Sequence, residues 1–132
     1  MQQPFAPPLL ATNARPTSYD APGAAGGPDL YIDVKNFRET FCGDLPVDVA
    51  AVMSVSQRPV AAATLGEKCT AAGWKTLPSW YLVAEQDNAI NPEAQAFMAS
   101  RMGATTETIA ASHVAFISRP VETAAFVLSA LG

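Results

Sequence analysis

The sequence predicts an α/β fold built on two parallel strands with flanking helices, and three observations carry that expectation. The run Trp80-Tyr81-Leu82-Val83-Ala84 is apolar or aromatic throughout and too short for a typical helix, which suits a buried strand of a parallel sheet. A helix start at Asn91-Pro92-Glu93 and a run over Thr105–Ile109 that is β-branched apart from Glu107 follow it, giving a strand–helix–strand unit. An acid, Asp87, lies just past the first strand, and the chain's single histidine, His113, just past the second. Those are the carboxyl ends of the strands, where open α/β sheets place their ligand sites.

Length and composition bound the reading. One domain is natural for 132 residues, and 49% hydrophobic content is enough for a core. A net charge of -4 with only eight basic residues argues against nucleic acid as a partner. No apolar run approaches the roughly 20 residues of a membrane helix, so no membrane association is expected. The first residues lack the basic and apolar regions of a signal peptide. Cys42 and Cys69 are too far apart for a redox motif, and one histidine cannot complete a zinc site with them. No metal or cofactor is therefore expected. The thiols read as small hydrophobes in a reducing cytoplasm, with a disulfide left open by spacing alone.

Residues 1–29 hold six of the eleven prolines, with Gly23, Gly26 and Gly27, and should form an irregular arm. Residues 30–73 read as a helical segment, either a cap or lid over a pocket or ordinary packed helices. Tyr31 and Ile32 suit a short extended piece, and Asp33 a helix cap for residues 34–42, with Phe37 and Phe41 on one face. Asp44 and Pro46 signal a second helix over 47–57 carrying Val49, Val52 and Met53, which Pro59 ends. A short helical turn through Ala61, Ala62 and Ala63 follows.

Residues 74–132 form the core segment. A strand is expected over 75–84, with Pro78 near its start. The next helix carries Ala94, Phe97, Met98 and Met102 along one face and ends at Gly103. From Pro120 the positions Val121, Ala124, Ala125, Leu128 and Leu131 recur at helical spacing, predicting a packed C-terminal helix.

Asp87 and His113 are the residues with chemical promise. A carboxylate on one ring nitrogen fixes an imidazole's tautomer and orientation and stabilises its cation. The other nitrogen can then take a proton from a hydroxyl or thiol. Glu85 is a rival for the acid, although Asp87, further into the loop, has the better reach.

The runs Leu82-Val83-Ala84-Glu85-Gln86-Asp87-Asn88-Ala89-Ile90, Gln95-Ala96-Phe97-Met98 and Ser112-His113-Val114-Ala115-Phe116-Ile117-Ser118-Arg119-Pro120 resemble the C-terminal part of α/β-hydrolases. The likeness is to bacterial esterase-like proteins related to plant methylesterases and hydroxynitrile lyases, and it spans about residues 30–132. It implies hydrolysis of a small ester or related acyl substrate, with Asp87 and His113 as the acid and base of a Ser-His-Asp triad. Lyase chemistry on the same scaffold stays open. Tyr31, Phe37, Phe41, Ile90, Val114 and Phe116 are then candidates for the pocket wall.

One departure from the pattern is large. That family's nucleophile sits on G-x-S-x-G, and no serine here has glycine two residues away on both sides. Neither cysteine does. The resemblance therefore implies a C-terminal portion of the fold: a cap and the last two strands, with an incomplete sheet. Such a chain is expected to pair with a separate N-terminal half, to dimerise, or to derive from a truncated frame. The alternative is a non-catalytic fragment that binds a ligand or partner without activity of its own.

Overall fold

The structure, a computed structural model, describes residues 5–18 and 28–132. The chain runs through two layers of local structure that meet at the loops after its parallel strands. The first is a small antiparallel sheet with two helices. A helical turn α1 (Leu9–Asn13) leads into β1 (Ala14–Thr17), which pairs antiparallel with β2 (Asp29–Ile32) from Ala14↔Ile32 to Thr17↔Asp29. A two-residue strand β3 (Val60–Ala61) adds to the other side of β2.

The arm expected to be irregular is thus ordered where it is described, with residues 1–4 and 19–27 lying outside the described residues. Its prolines are compatible with this because β1 is an edge strand, where Pro16 leaves no ladder bond unmade. Asn13 Nδ2 also donates to the buried Thr40 hydroxyl at 2.8 Å, tying the arm to the next helix.

That helix, α2 (Phe37–Phe41), begins later than Asp33 suggested. Asp33 instead closes a turn, accepting from the Lys35 amide at 2.9 Å and from Arg15 Nε at 3.1 Å. α3 (Val47–Ser56) follows, and Gln57 at its end bonds both the amide and the carbonyl of Ile32, at 2.8 and 2.9 Å. The helix buries Ala50 and Ser54 and half-buries Met53, so Val49 and Val52, expected on its apolar face, are exposed. Phe37, Cys42, Leu45 and Ala50 form the core of this layer.

In the second layer β4 (Trp80–Ala84) and β5 (Thr105–Ile109) pair in parallel, from Trp80↔Thr105 to Ala84↔Ile109. α4 (Pro92–Met102) is the crossover. β4 starts at Trp80, later than expected, after a 3₁₀ turn at Gly73–Lys75 and a non-strand stretch over residues 76–79. The start of α4 is capped by Asn91 Oδ1, which accepts from the Glu93 and Ala94 amides. Its end falls on Gly103, whose φ of 62° is the left-handed conformation a glycine adopts without strain. Gln95 and Ala99 are the buried positions of α4, while Phe97 and Met98, expected inward, are exposed.

After His113 the chain makes one helical turn, α5 (Ala115–Ser118), and then α6 (Pro120–Ser129). The expectation of a packed tail does not hold among the described residues: none of α6 is buried, and Val121 is 77% exposed. The stripe has helical spacing, but no described segment lies over it. β5 is bare as well, exposed at its first four residues. The sheet is open and incomplete, as the two-strand reading anticipated. No helix among the described residues is long and apolar enough to cross a membrane.

Candidate active site

Asp87 leaves the sheet in the loop after β4, and His113 in the loop after β5. The parallel pairing continues past both strands, with the Glu85 amide on Ile109 O (3.0 Å) and the Gln86 amide on Ala111 O (3.1 Å). This extension holds the two loops side by side. His113 Nδ1 lies 2.8 Å from Asp87 Oδ2. An ionised carboxylate only accepts, so Nδ1 carries the proton, and in the neutral ring Nε2 keeps its lone pair.

The carboxylate is fully occupied and almost wholly buried, with its side chain 3% exposed against 30% for the imidazole. Oδ1 accepts from the Ala89 and Ile90 amides at 2.7 and 2.9 Å. Oδ2 accepts from Gln95 Nε2 at 2.7 Å as well as from His113. Four donors around one buried charge make it affordable and fix its direction. Glu85, the rival acid, is exposed and takes no part.

Gln95 is a site residue whose role the sequence alone does not reveal. Its Oε1 accepts from the Ala84 amide at 3.1 Å, and its Nε2 also reaches Ile90 O at 2.9 Å. The signal available in the sequence is a glutamine one turn inside a helix just beyond an acid loop.

Three consecutive residues of the histidine loop are held by the helical layer. Ser112 donates from its amide to Asp44 Oδ2 at 3.0 Å and from its hydroxyl to Asp44 Oδ1. The His113 ring lies against Phe41, with centroids 4.8 Å apart. Val114, 1% exposed, enters the core of Phe37, Cys42, Leu45 and Ala50. On the acid side, Asn88 Nδ2 donates to Glu39 O at 3.0 Å, and Asn88 O accepts from the Leu9 amide at 2.9 Å.

The residues expected to line one pocket are divided by this arrangement. Tyr31, Phe37 and Phe41 line an apolar cavity of about 900 Å³ within the helical layer, with Ile32, Met53 and Leu65. Ile90 and Phe116 line a separate hollow of about 370 Å³ that also takes in Asp87, His113 and Trp80. Val114 lines neither cavity and is corrected to a core residue, because it points away from the imidazole beside it into the packed helices. Phe41 stands between the two spaces, in the wall of one and against the histidine of the other.

Three groups near the site are perturbed. Burial pushes the Asp44 carboxyl up, but hydrogen bonding from the Ser112 hydroxyl, the Ser118 hydroxyl and the Ser112 amide outweighs this and leaves it below the usual carboxylate range. Burial, with a smaller contribution from the charge of Asp87, raises the Tyr81 phenol. Burial also raises the Cys42 thiol, against the opposing pull of Arg38. Both cysteines are free, Cys42 buried and Cys69 exposed, so the small-hydrophobe reading fits Cys42 alone. Among the described residues no three His, Cys, Asp or Glu side chains converge as a metal site would need.

Comparison with known proteins adds to this geometry. Residues 2–126 match the family model of the alpha/beta hydrolase family. No curated protein matches the chain. Among solved structures, polyneuridine aldehyde esterase is similar in fold, with a TM-score of 0.78 at 15% identity. The match takes in 96% of this chain and 52% of that one, so the chain spans about half the length of the structure it matches.

Proposed function

The chain belongs to the alpha/beta hydrolase family, and from that premise we propose that it supplies the acid–base half of a Ser-His-Asp site hydrolysing a small ester or related acyl substrate. The observation that carries this reading is the 2.8 Å contact between His113 Nδ1 and the saturated carboxylate of Asp87. His113 Nε2 takes the proton of an attacking serine hydroxyl and returns it to the leaving group. Asp87 holds the tautomer that makes this possible and stabilises the imidazolium while it lasts. The serine and the donors that stabilise the oxyanion come from outside the 132 residues, since no G-x-S-x-G serine is among them. The partner segment is a further part of the same fold that adds strands beside the open pair, whether on a separate chain or in one continuous frame. The hollow at His113, walled by Ile90, Phe116 and Trp80, is where the acyl group would sit.

The experiment is complementation. The 132-residue chain alone should leave p-nitrophenyl acetate unhydrolysed above background, because an imidazole without nucleophile or oxyanion donors has little to accelerate. Joined to the coding sequence found immediately upstream, it should turn the ester over, and His113→Ala in that joined protein should abolish turnover. Activity that survives His113→Ala would end the proposal. Turnover by the chain alone, lost with His113→Ala, would overturn the external serine.

A second reading is favoured by the cavity of about 900 Å³. It is apolar, built wholly from this chain, and separate from the imidazole's hollow. A protein that holds an apolar ligand there without turning it over would take up an apolar ligand in a separate binding titration and show no esterase activity in the complementation experiment.

A further inference from the structure

We propose that Asp44 is a positioning residue for His113, acting through Ser112 to lock the histidine loop against the helical layer. The inference rests on the reading of His113 as the base. It extends that reading to a residue 68 positions away in sequence.

Asp44 does not do the work its position suggests. An acid two residues before a proline-led helix is the usual sign of a cap. Here Pro46 is the N-cap residue, and no side chain caps α3. Both carboxylate oxygens turn instead to Ser112: Oδ2 accepts the Ser112 amide at 3.0 Å and Oδ1 the Ser112 hydroxyl, with the Ser118 hydroxyl adding to the pull on the charge. Two bonds to one residue fix its orientation as well as its distance, and the charge on the acceptor strengthens each.

Ser112 is 3% exposed and precedes the imidazole directly. On the other side of the imidazole, Val114 is fixed by packing, and Phe41 lies against the ring itself. The backbone of His113 is therefore gripped from both ends, by a charged bond at 112 and an apolar plug at 114. Asp87 sets which nitrogen carries the proton. Asp44 sets whether the ring stays where Asp87 can reach it. Without the anchor at Ser112, the loop retains the apolar plug but can swing about it.

A single histidine in the chain makes the test direct. With ¹⁵N-histidine label, the imidazole spectrum of the full 132-residue chain reports His113 alone. The unchanged chain should show one tautomer, with a slowly exchanging Nδ1–H donated to Asp87. Asp44→Ala should mix the tautomers and speed exchange of that proton about tenfold or more, the loss expected for a charge-assisted anchor. Asp44→Asn, which keeps one oxygen for the Ser112 amide, should fall between, and so should Ser112→Ala, which keeps the amide bond. With a ¹⁵N-tryptophan label added, the indole signal of Trp74, which does not line the hollow at His113, should hold its position in all three, separating a local release from general loosening.

A histidine spectrum unchanged in Asp44→Ala and Asp44→Asn would overturn the proposal. Should Asp44→Ala fail to fold, the same spectrum unchanged in Asp44→Asn and Ser112→Ala would overturn it equally. An unchanged chain lacking the Nδ1–H signal would instead remove the His113–Asp87 reading on which the proposal stands. Failure of ester complementation with the Asp44 effect present would sink the activity and leave the positioning role standing.

Discussion

Gln95 Nε2 and Asp87 Oδ2 are 2.7 Å apart, a side-chain bond across eight residues that couples the first turn of α4 to the acid loop. The same amide group accepts the Ala84 N–H at the end of β4, so one side chain holds strand, loop and helix together. Gln95→Leu fills similar volume but orphans that N–H and removes one of four donors from a buried carboxylate. The expected cost is about 1–3 kcal/mol, read as a lower urea midpoint at unchanged slope. Gln95→Glu should cost more at neutral pH, where two carboxylates face each other, and recover part of the loss on acidification. A midpoint unmoved by Gln95→Leu would remove the residue from the site's support.

The choice of acid separates two residues only two positions apart. In the joined, active protein, Asp87→Asn should lower kcat by about 10³–10⁴-fold, as loss of an orienting carboxylate does elsewhere. Glu85→Gln should stay within a few-fold, because that side chain is exposed and only its backbone amide is engaged. Steady-state rates on one ester would check both, and the reverse order would transfer the role to Glu85.

Thiol chemistry should divide the two cysteines. Burial raises the Cys42 thiol and shuts it from solvent, while Cys69 is exposed. A chromogenic disulfide reagent at pH 8 should titrate one thiol in the native chain and two in denaturant. Two rapid thiols in the native state would contradict the packing of Cys42 under α3.

Acid should release the Asp44 anchor. Its carboxyl titrates lower in the folded chain than in the unfolded one, so the unfolded state binds the proton first. The stability it adds is whole above the unfolded value, about pH 4, and is lost as pH falls through the lower folded value. Urea midpoints of the unchanged chain and Asp44→Asn should therefore differ at pH 6 and converge toward pH 3. A gap that stays constant with pH would assign it to packing instead.

Bare apolar surface should govern the isolated chain in solution. Val121, Leu128 and Leu131 are 77%, 64% and 78% exposed along the C-terminal segment. Sedimentation should show self-association that rises with concentration, together with binding of a hydrophobic dye, both reduced by Val121→Ser with Leu128→Ser. A monodisperse, cooperatively melting monomer that binds no dye would count against the incomplete sheet as the source of these faces.

What was legible in the sequence was mainly what is local. Asn91-Pro92-Glu93 and Gly103 mark both ends of α4 because a cap, a fixed φ and a left-handed glycine act within a few residues. The strand-end positions of Asp87 and His113 follow from the alternation of strand and helix. What escaped depends on contacts between distant segments. Asp44 reads as a helix signal until Ser112, 68 residues on, claims both of its oxygens. Val114 and Phe116 look alike in an apolar run, yet one is packed among helices and the other is 63% exposed. The β1–β2 pairing was hidden because prolines argue against strands in general and much less against edges.

The two strands of the parallel pair are dressed very differently. β5 reads Thr-Thr-Glu-Thr-Ile, with Glu107 midway along it, whereas β4 reads Trp-Tyr-Leu-Val-Ala. A charge and three threonine hydroxyls make the later strand a poor template for recruiting more backbone and a good outer boundary. The strands that the proposed function calls for are therefore expected on the side of β4, with β5 left as the rim.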